Sequence, residues 1–303
     1  MIICAGEALV DLVPDPVPGG GPMNAAIAAA RFGAEAAFLG RVSTDGYGQM
    51  IYEHLEKNGV DLRLVQRGDE PTARAIIEHT PQPSFRFEGT GTADTALGDA
   101  SLDPVDPGPH IVHGGTLGMF RGATAEVLAE LVEAHAGIVS LDANVRPEVI
   151  EDRESWDHYH QRWLDRADIV KLSDEDLSWI WPERSIDSVV SELLASDIAV
   201  VLVTKGPQGV MVATRTGRAE VPGRSVRVID TVGAGDTFIG TVLSQLVDER
   251  GCQLTPEGLA TLTVEEWGAI TRRSVVASSL VCGRRGADPP TLAETAAADA
   301  RPS

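Results

Sequence analysis

The sequence predicts an α/β fold in which a mostly parallel sheet has helices on both faces and carries a small, shortened β lid. Short apolar runs rich in β-branched residues alternate along the chain with longer helical stretches, the order typical of a parallel sheet. The predicted strands lie at residues 2–4, 138–141 and 200–203, and the predicted helices lie at residues 24–31, 156–164 and 186–194. Because no repeat or long linker interrupts this order, we expect one domain over residues 1–303.

A hairpin inserted at about residues 70–90 is the candidate lid. Residues 72–79 and 84–88 are rich in β-branched and aromatic residues and flank the proline-rich turn 80–83. An antiparallel hairpin within an otherwise parallel α/β chain indicates a flap.

Prolines mark two further stretches of the chain. Residues 12–18 contain three prolines, and because proline cannot donate to a sheet ladder, we expect this stretch to add no strand to the lid. Residues 292–303 follow Pro289 and Pro290 and are rich in alanine and small polar residues, which predicts a frayed tail.

The composition argues against several partners. The formal net charge is −20 and the pI is near 4.6, so the surface repels nucleic acid and anionic membrane lipid, and we expect neither as a partner. The three cysteines, Cys4, Cys252 and Cys282, form no CxxC pair, which is typical of a reducing compartment without structural zinc. Residues 1–13 lack the basic start of a signal peptide, so we expect a cytoplasmic protein.

The segment 230–240 is the most informative one, and it reads DTVGAGDTFIG. Gly233, Ala234 and Gly235 are small enough for a ligand to approach the backbone, and the helix that follows offers free N–H groups, so the turn predicts an anion hole. Asp236 at its end is placed to accept a proton from a hydroxyl that attacks a bound phosphate. The alternative is a glycine-rich helix entry in which Asp236 is an ordinary N-cap.

Two segments together resemble the signatures of the ribokinase-like carbohydrate kinases, and fructokinases in particular. The first is the segment 230–240, and the second is the segment 19–48, which begins GGGPMN and ends FLGRVSTDGYG after an alanine-rich run. The resemblance implies a ribokinase-like fold and ATP-dependent phosphorylation of a sugar hydroxyl, with ATP and Mg²⁺ required and Asp236 as the base. In many members a monovalent cation, K⁺, also binds near the position of Asp230.

The resemblance implies an acceptor site built from several parts of the chain. Asp11, Gly20 and Asn24 match positions that hold sugar hydroxyls, and their chemistry agrees, because carboxylate and carboxamide groups pair with hydroxyls. Arg146, in the fructokinase-like segment DANVRP after a predicted strand, is implied to brace a phosphate or the acceptor. The alternatives are a strand-end Asp, an N-cap Asn and a loop held by an Asp–Arg pair.

Further matches lie on the nucleotide side. Asn144 is implied to orient water on magnesium, and Lys171 and Ser173 match a segment that contacts nucleotide phosphates and the magnesium shell. Asp176 stands where the family usually carries Glu, and the alternative for this segment is a helix start capped by Ser173.

The segment TKGPQG resembles the family's nucleotide loop, for which the alternative is a plain hairpin turn. The residues that it contributes are Thr204, Lys205, Gly206 and Gly209. Residues 282–287 resemble the loop that closes the adenine side of the pocket.

The acceptor is left open between three classes. Glu88 and Gly89 stand where relatives that act on 2-keto-3-deoxygluconate tend to have Tyr-Arg, so a neutral hexose such as fructose is preferred over that acidic sugar or a nucleoside. Relatives usually have a longer excursion at the place of residues 12–18, so the lid is expected to be shorter than theirs. This shortened lid motivates the second alternative, a non-catalytic sugar-sensing protein on the same scaffold. Because the lid sheet often forms the dimer interface in these kinases, a homodimer is also left open.

Overall fold

The computed structural model describes residues 1–13, 15–78, 84–103, 105, 110–250 and 255–300. The strands are β1 (Ile2–Ala5), β2 (Leu9–Val13), β3 (Asp15–Gly19), β4 (Ala36–Ser43), β5 (Val65–Gly68), β6 (Arg74–Glu78), β7 (Ser84–Glu88), β8 (Ile111–Gly115), β9 (Ile138–Asp142), β10 (Ile169–Ser173), β11 (Val200–Thr204), β12 (Gly209–Thr214) and β13 (Gly217–Pro222). The helices are α1 (Gly21–Arg31), α2 (Gly46–Lys57), α3 (Gly122–Ala134), α4 (Arg153–Leu164), α5 (Asp174–Ile180), α6 (Ile186–Leu193), α7 (Ala234–Arg250), α8 (Pro256–Ala260), α9 (Val264–Cys282) and α10 (Leu292–Asp299). The strands and helices predicted for the large sheet are all present, with small differences at their ends.

A nine-stranded sheet forms the body of the protein, in the order β13-β12-β11-β10-β9-β8-β1-β4-β5. All its neighbouring strands run parallel except for the antiparallel pairs β11–β12 and β12–β13. Strands such as β1 are buried on both faces, which explains their continuous apolar sequences. Alternate residues of β1 enter two separate cores, one with α1, α7 and α9 and the other with α3, α4 and α6. The expected fold class is confirmed.

A second, four-stranded sheet has the order β3-β2-β6-β7 and is the candidate lid. The predicted hairpin is present as the antiparallel pair β6–β7, with Arg74 opposite Glu88. Strand β2 lies beside β6 in parallel, with Val10 opposite Arg74. Residues 79–83, which include the predicted turn, lie outside the described residues.

The expectation that residues 12–18 add no strand to this sheet is wrong. Strand β3 pairs antiparallel with β2, with Asp11 opposite Val17. It is an outer strand, and Pro16 and Pro18 occupy alternate positions along it. The backbone positions that lack an N–H therefore face the same side of β3. An outer strand has one side without a neighbouring strand, so prolines on that side do not interrupt the ladder. The lid is larger than the sequence suggested.

The expectation of a frayed tail over residues 292–303 is wrong for most of that segment, because α10 forms there. Thr291 and Glu294 cap this helix reciprocally: the Thr291 Oγ accepts from the Glu294 N–H at 3.2 Å, and the Glu294 carboxylate accepts from the Thr291 N–H at 2.7 Å. The helix also buries Thr295. Residues 301–303 lie outside the described residues, and the assignment of one domain with an inserted lid stays a prediction. No described helix has the length and apolarity needed to cross a bilayer.

Candidate active site

The predicted site segments meet at one edge of the large sheet. Strands β8, β9, β10 and β11 are parallel neighbours or share a parallel neighbour, so their carboxyl ends lie at the same edge, where ligands of open α/β sheets bind. The segments that begin at Asp142, Ser173 and Thr204 leave these strands at that edge. The starts of α1 and α7 lie at the same edge, because Gly21 of α1 approaches Asn144 and Gly235 of α7 approaches Lys171.

The start of α7 is the place of the predicted anion hole. Gly233 has a φ of 75°, and a Cβ there would lie 2.5 Å from the Cβ of Ala287, so only glycine fits this turn. The Ala234 N–H donates to the Thr231 carbonyl at 3.2 Å. The N–H groups of Gly235 and Asp236 have no partner among the described residues, so two donors remain free at the positive end of the helix.

Asp236 joins this helix to α1. Its Oδ2 accepts a hydrogen bond from the Nδ2 of Asn24 at 2.9 Å, across 212 positions of sequence. Burial raises the pKa of Asp236 above the usual carboxyl value, against the opposing effect of the Asn24 hydrogen bond and the positive charges of Lys171 and Arg146. A raised pKa makes the carboxylate a better proton acceptor.

A buried ion pair lies directly beneath this turn. The Nζ of Lys171 donates to both carboxylate oxygens of Asp142, at 3.0 and 2.9 Å, and the two side chains are 5% and 4% exposed. A Cβ on Gly235 would lie 3.1 Å from that Nζ, so the absence of a side chain lets the ammonium group approach the helix start. Burial raises the pKa of Asp142 to about 6, although Lys171 lowers it. Burial alone would lower the pKa of Lys171, but Asp142 and Asp176 raise it overall.

Thr116, which the sequence analysis did not single out, lies close to the predicted acceptor residues. Thr116 and Asn144 have left-handed backbones, with φ of 52° and 36°, which is uncommon for residues other than glycine and marks local strain. A Cβ on Gly21 would lie 2.8 Å from the Thr116 Oγ and 3.4 Å from the Asn144 Nδ2. Thr116 directly follows β8, at the carboxyl end of that strand, and no motif of the sequence marks it.

Asp11 approaches this region from the lid sheet. It lies on β2, and its Oδ2 would be 2.5 Å from a Cβ on Gly19. Burial, followed by the negative charges of Asp236 and Asp230, raises the pKa of Asp11 to about 6. The backbone of Gly20 has a φ of 122°, and a Cβ there would lie 2.6 Å from the Glu7 carbonyl oxygen.

Ser173 and Asp176 form a complete capping box at the start of α5. The Asp176 Oδ2 accepts from the Ser173 N–H at 2.7 Å, and the Ser173 Oγ accepts from the Asp176 N–H at 2.9 Å. The Asp176 Oδ1 accepts from the Val145 N–H at 2.7 Å, which fastens the loop that carries Arg146. The cap interpretation is confirmed, and the metal role of Asp176 stays a prediction.

The proposed nucleotide loop is a hairpin turn between β11 and β12, as the alternative had it. Gly206 and Gly209 have positive φ values of 52° and 105°, which favour glycine, and a Cβ on Gly209 would also clash with the Val221 carbonyl oxygen. The Lys205 Nζ donates to the Glu220 carboxylate at 2.9 Å, which means that its charge is already paired. Thr204 lies at the end of β11 with its hydroxyl 3.5 Å from the Leu172 carbonyl oxygen.

Asp230 connects the entry of α7 with the loop that resembles the adenine side. Its Oδ1 accepts from the Val232 N–H at 3.0 Å, and its Oδ2 accepts from the Gly286 N–H at 2.9 Å. Beside it, Val228 and Ile229 are 58% and 62% exposed, an apolar surface next to this loop. A role for Asp230 in cation binding stays a prediction.

The described residues contain no group of three or more His, Cys, Asp or Glu side chains that could by itself hold a metal ion. Asp176 and Asp236 nevertheless both raise the pKa of Asp142. Mg²⁺ keeps several of its waters and binds through one or two carboxylates together with substrate phosphates. The carboxylates of Asp142 and Asp176 therefore fit a hydrated Mg²⁺ that arrives with a nucleotide.

Comparisons with known proteins agree with one another. The model of the pfkB family carbohydrate kinases matches residues 15–294. A fructokinase from Rhizobium leguminosarum bv. trifolii is 32% identical over 259 residues, 81% of this chain and 79% of the relative. The crystal structure of a Xylella fastidiosa fructokinase with bound ATP superposes with a TM-score of 0.88 at 28% identity, covering 98% of this chain and 97% of that one. A fructokinase double mutant from Vibrio cholerae O395, in a fructose-, ADP- and potassium-bound form, superposes with a TM-score of 0.84 at 25% identity, covering 98% and 97%.

Proposed function

Since the chain belongs to the pfkB family of carbohydrate kinases, and is thus an ATP-dependent sugar kinase, we propose that its acceptor is fructose and that Asp236 is its general base. The observation that carries the assignment of the base is the hydrogen bond between Asp236 and Asn24. It joins the two segments that resemble the family signatures, so that the proposed base lies beside a proposed sugar ligand. The relatives named fructokinase support the choice of acceptor.

The proposed reaction is a direct transfer. A hydroxyl of the sugar, held by Asp11 and Asn24, loses its proton to the Asp236 carboxylate as its oxygen attacks the γ-phosphorus of ATP. The bond between that phosphorus and the bridging oxygen breaks, and ADP leaves. The free N–H groups of Gly235 and Asp236 stabilise the charge on the transferring group, and the Arg146 guanidinium adds to this effect.

Three residues are proposed to hold a hydrated Mg²⁺ with the nucleotide, namely Asn144, Asp142 and Asp176. When bound, the ion would neutralise charge on the β- and γ-phosphates. The buried Lys171 places a fixed positive charge beneath the same turn, close to the proposed path of the phosphates. A K⁺ ion at Asp230 would order the turn that begins α7.

The lid contributes to the proposed preference for a neutral sugar. Glu88 lies on β7, and its carboxylate is 3.5 Å from the guanidinium of Arg74 on the neighbouring strand β6. A carboxylate at this end of the lid repels an acidic sugar more than fructose. The free thiols of Cys4 and Cys282 support the proposed cytoplasmic location. We also propose that the chain forms a homodimer through the lid sheet.

A coupled assay of ADP release over a panel of acceptors tests this proposal. We expect fructose to give the highest kcat/KM, ahead of nucleosides and 2-keto-3-deoxygluconate, with a sugar phosphate identified by ³¹P NMR as the product. A nucleoside or an acidic sugar as the best acceptor would overturn the choice of fructose. Sugar binding without turnover of any acceptor would favour the sugar-sensing alternative.

A further inference from the structure

One buried carboxylate near the acceptor side has no part in the proposed reaction. Glu7 follows β1 and is only 1% exposed. Its Oε1 accepts from the Gly21 N–H at 3.1 Å, and its Oε2 accepts from the Gly118 N–H at 2.8 Å. The two donors belong to different parts of the chain, the start of α1 and the loop after β8. One side chain therefore fastens two segments to the end of a third.

The three segments are packed so closely that each requires glycine at the contact. A Cβ on Gly118 would lie 2.7 Å from the Cα of Gly6, and a Cβ on Gly6 would lie 2.7 Å from the Pro22 Cγ. The Glu7 carbonyl oxygen likewise occupies the space that a Cβ on Gly20 would need. We call Gly6, Glu7, Gly20, Gly21 and Gly118 the Glu7 junction. Because real Cβ atoms do not approach this closely, a shift in one segment must displace the others.

The Glu7 junction lies against residues of the acceptor side. Gly20 is a proposed sugar ligand, and Asn24 donates its backbone N–H to the Gly20 carbonyl at 2.9 Å. Gly21 packs against Thr116 and Asn144, and Thr116 lies on the same loop as Gly118. Through Gly21 and Gly118, Glu7 is thus linked to the start of α1 and to the Thr116 loop, which together carry proposed acceptor residues. Neither of these hydrogen bonds reaches the nucleotide loop at residues 204–209.

We propose that Glu7 is a positioning residue for the acceptor site, holding the glycine run at the start of α1 and the Thr116 loop at the spacing that a sugar needs. This inference rests on the proposed function. The hydrogen bonds from Gly118, from the Glu7 N–H itself and from Gly21 favour the ionised carboxylate, whereas burial raises the pKa of Glu7 to about 8. A neutral carboxamide cannot accept at both ends, since its nitrogen only donates.

Glu7→Gln is the test, assayed at a pH above the raised pKa of Glu7, because it keeps the size of the side chain and removes one of the two acceptors of the ionised carboxylate. We expect the KM for fructose to rise about tenfold, with the KM for ATP unchanged within about twofold and a smaller fall in kcat. Asp168→Asn is the matched control: Asp168 is also buried and accepts a backbone N–H, from Val139 at 2.8 Å, but it lies just before β10, at the opposite edge of the sheet. The control should lose comparable thermal stability and keep the fructose KM.

An unchanged fructose KM in Glu7→Gln, or an equal rise in the Asp168→Asn control, would overturn the inference. If Glu7→Gln does not fold, Glu7→Asp replaces it, because the shorter carboxylate keeps its charge but cannot reach both N–H groups, and an unchanged fructose KM then has the same meaning. If the wild-type chain phosphorylates no sugar, the proposed function fails. Calorimetric binding of fructose to the same variants then decides the role of Glu7 separately.

Discussion

Replacement of Lys171 by methionine should destabilise the protein strongly, because it leaves a buried carboxylate without its partner. The pair makes two charge-assisted hydrogen bonds, at 3.0 and 2.9 Å, each worth about 1.5–3 kcal/mol. Their sum, about 3–6 kcal/mol, agrees with the roughly 3–5 kcal/mol that removal of one partner of a buried ion pair typically costs. We therefore expect the free energy of unfolding to fall by about 3–5 kcal/mol.

Urea unfolding of the variant at several pH values is the assay. The loss should be larger at alkaline pH, because protonation of the unpaired Asp142 relieves part of the cost at lower pH. Adding Asp142→Asn to the same variant should restore part of the stability, since no buried charge is then left. Lys205→Met is the control, because its partner Glu220 is 64% exposed and a surface pair of this kind is worth at most about 1 kcal/mol. Equal losses for Lys171 and Lys205 would refute the reasoning.

Three further predictions concern activity and pH. Arg146→Ala should lower kcat about 10–100-fold with little loss of thermal stability, and an unchanged kcat would remove Arg146 from the site. Activity should be higher in K⁺ than in K⁺-free buffer, and Asp230→Ala should abolish the difference; equal wild-type rates would contradict a cation site. In the native state the pKa values of Asp11, Asp142 and Glu7 are raised to about 6, 6 and 8, whereas those of the buried His113 and His160 are lowered to about 3 and 4 and affect stability in the opposite direction. Above the ordinary histidine pKa of about 6.5 this opposing effect is over, so the free energy of unfolding should fall as pH rises from about 7 to 8, and a flat or rising profile over that range in urea titrations would contradict the raised pKa of Glu7.

The large sheet and the position of the site were predictable because both depend on local pattern. Continuous apolar runs mark strands buried on both faces, and polar segments just after them mark the carboxyl edge of the sheet. This is how the segments that carry Arg146 and Lys171 could be selected. That Lys171 forms a buried ion pair with Asp142 was not predictable, because a sequence does not reveal which side chains of neighbouring strands meet.

The residues that sequence reasoning missed or misjudged depend on the tertiary structure. Thr116 and Glu7 belong to no recognisable motif, and only the packing of the glycines around them shows their place. Pro16 and Pro18 were read as incompatible with a strand because the sequence does not show that β3 lies at the outside of its sheet. The alanine-rich composition after Pro290 predicted a frayed tail, whereas the structure forms α10 behind the Thr291–Glu294 capping box.

The kcat of Asp236→Asn tests most directly the claim that Asp236 is the base of a sugar kinase. Asparagine has the same size and can turn its carbonyl oxygen toward the Asn24 Nδ2, so the link between α1 and α7 and the stability should be nearly unchanged. Removal of a general base typically lowers kcat by about 10²–10⁴, or roughly 3–5 kcal/mol of barrier, while the KM for ATP should change far less. A kcat within a few-fold of wild type on the best sugar would show that Asp236 only links α1 and α7 through Asn24 and would contradict the mechanism.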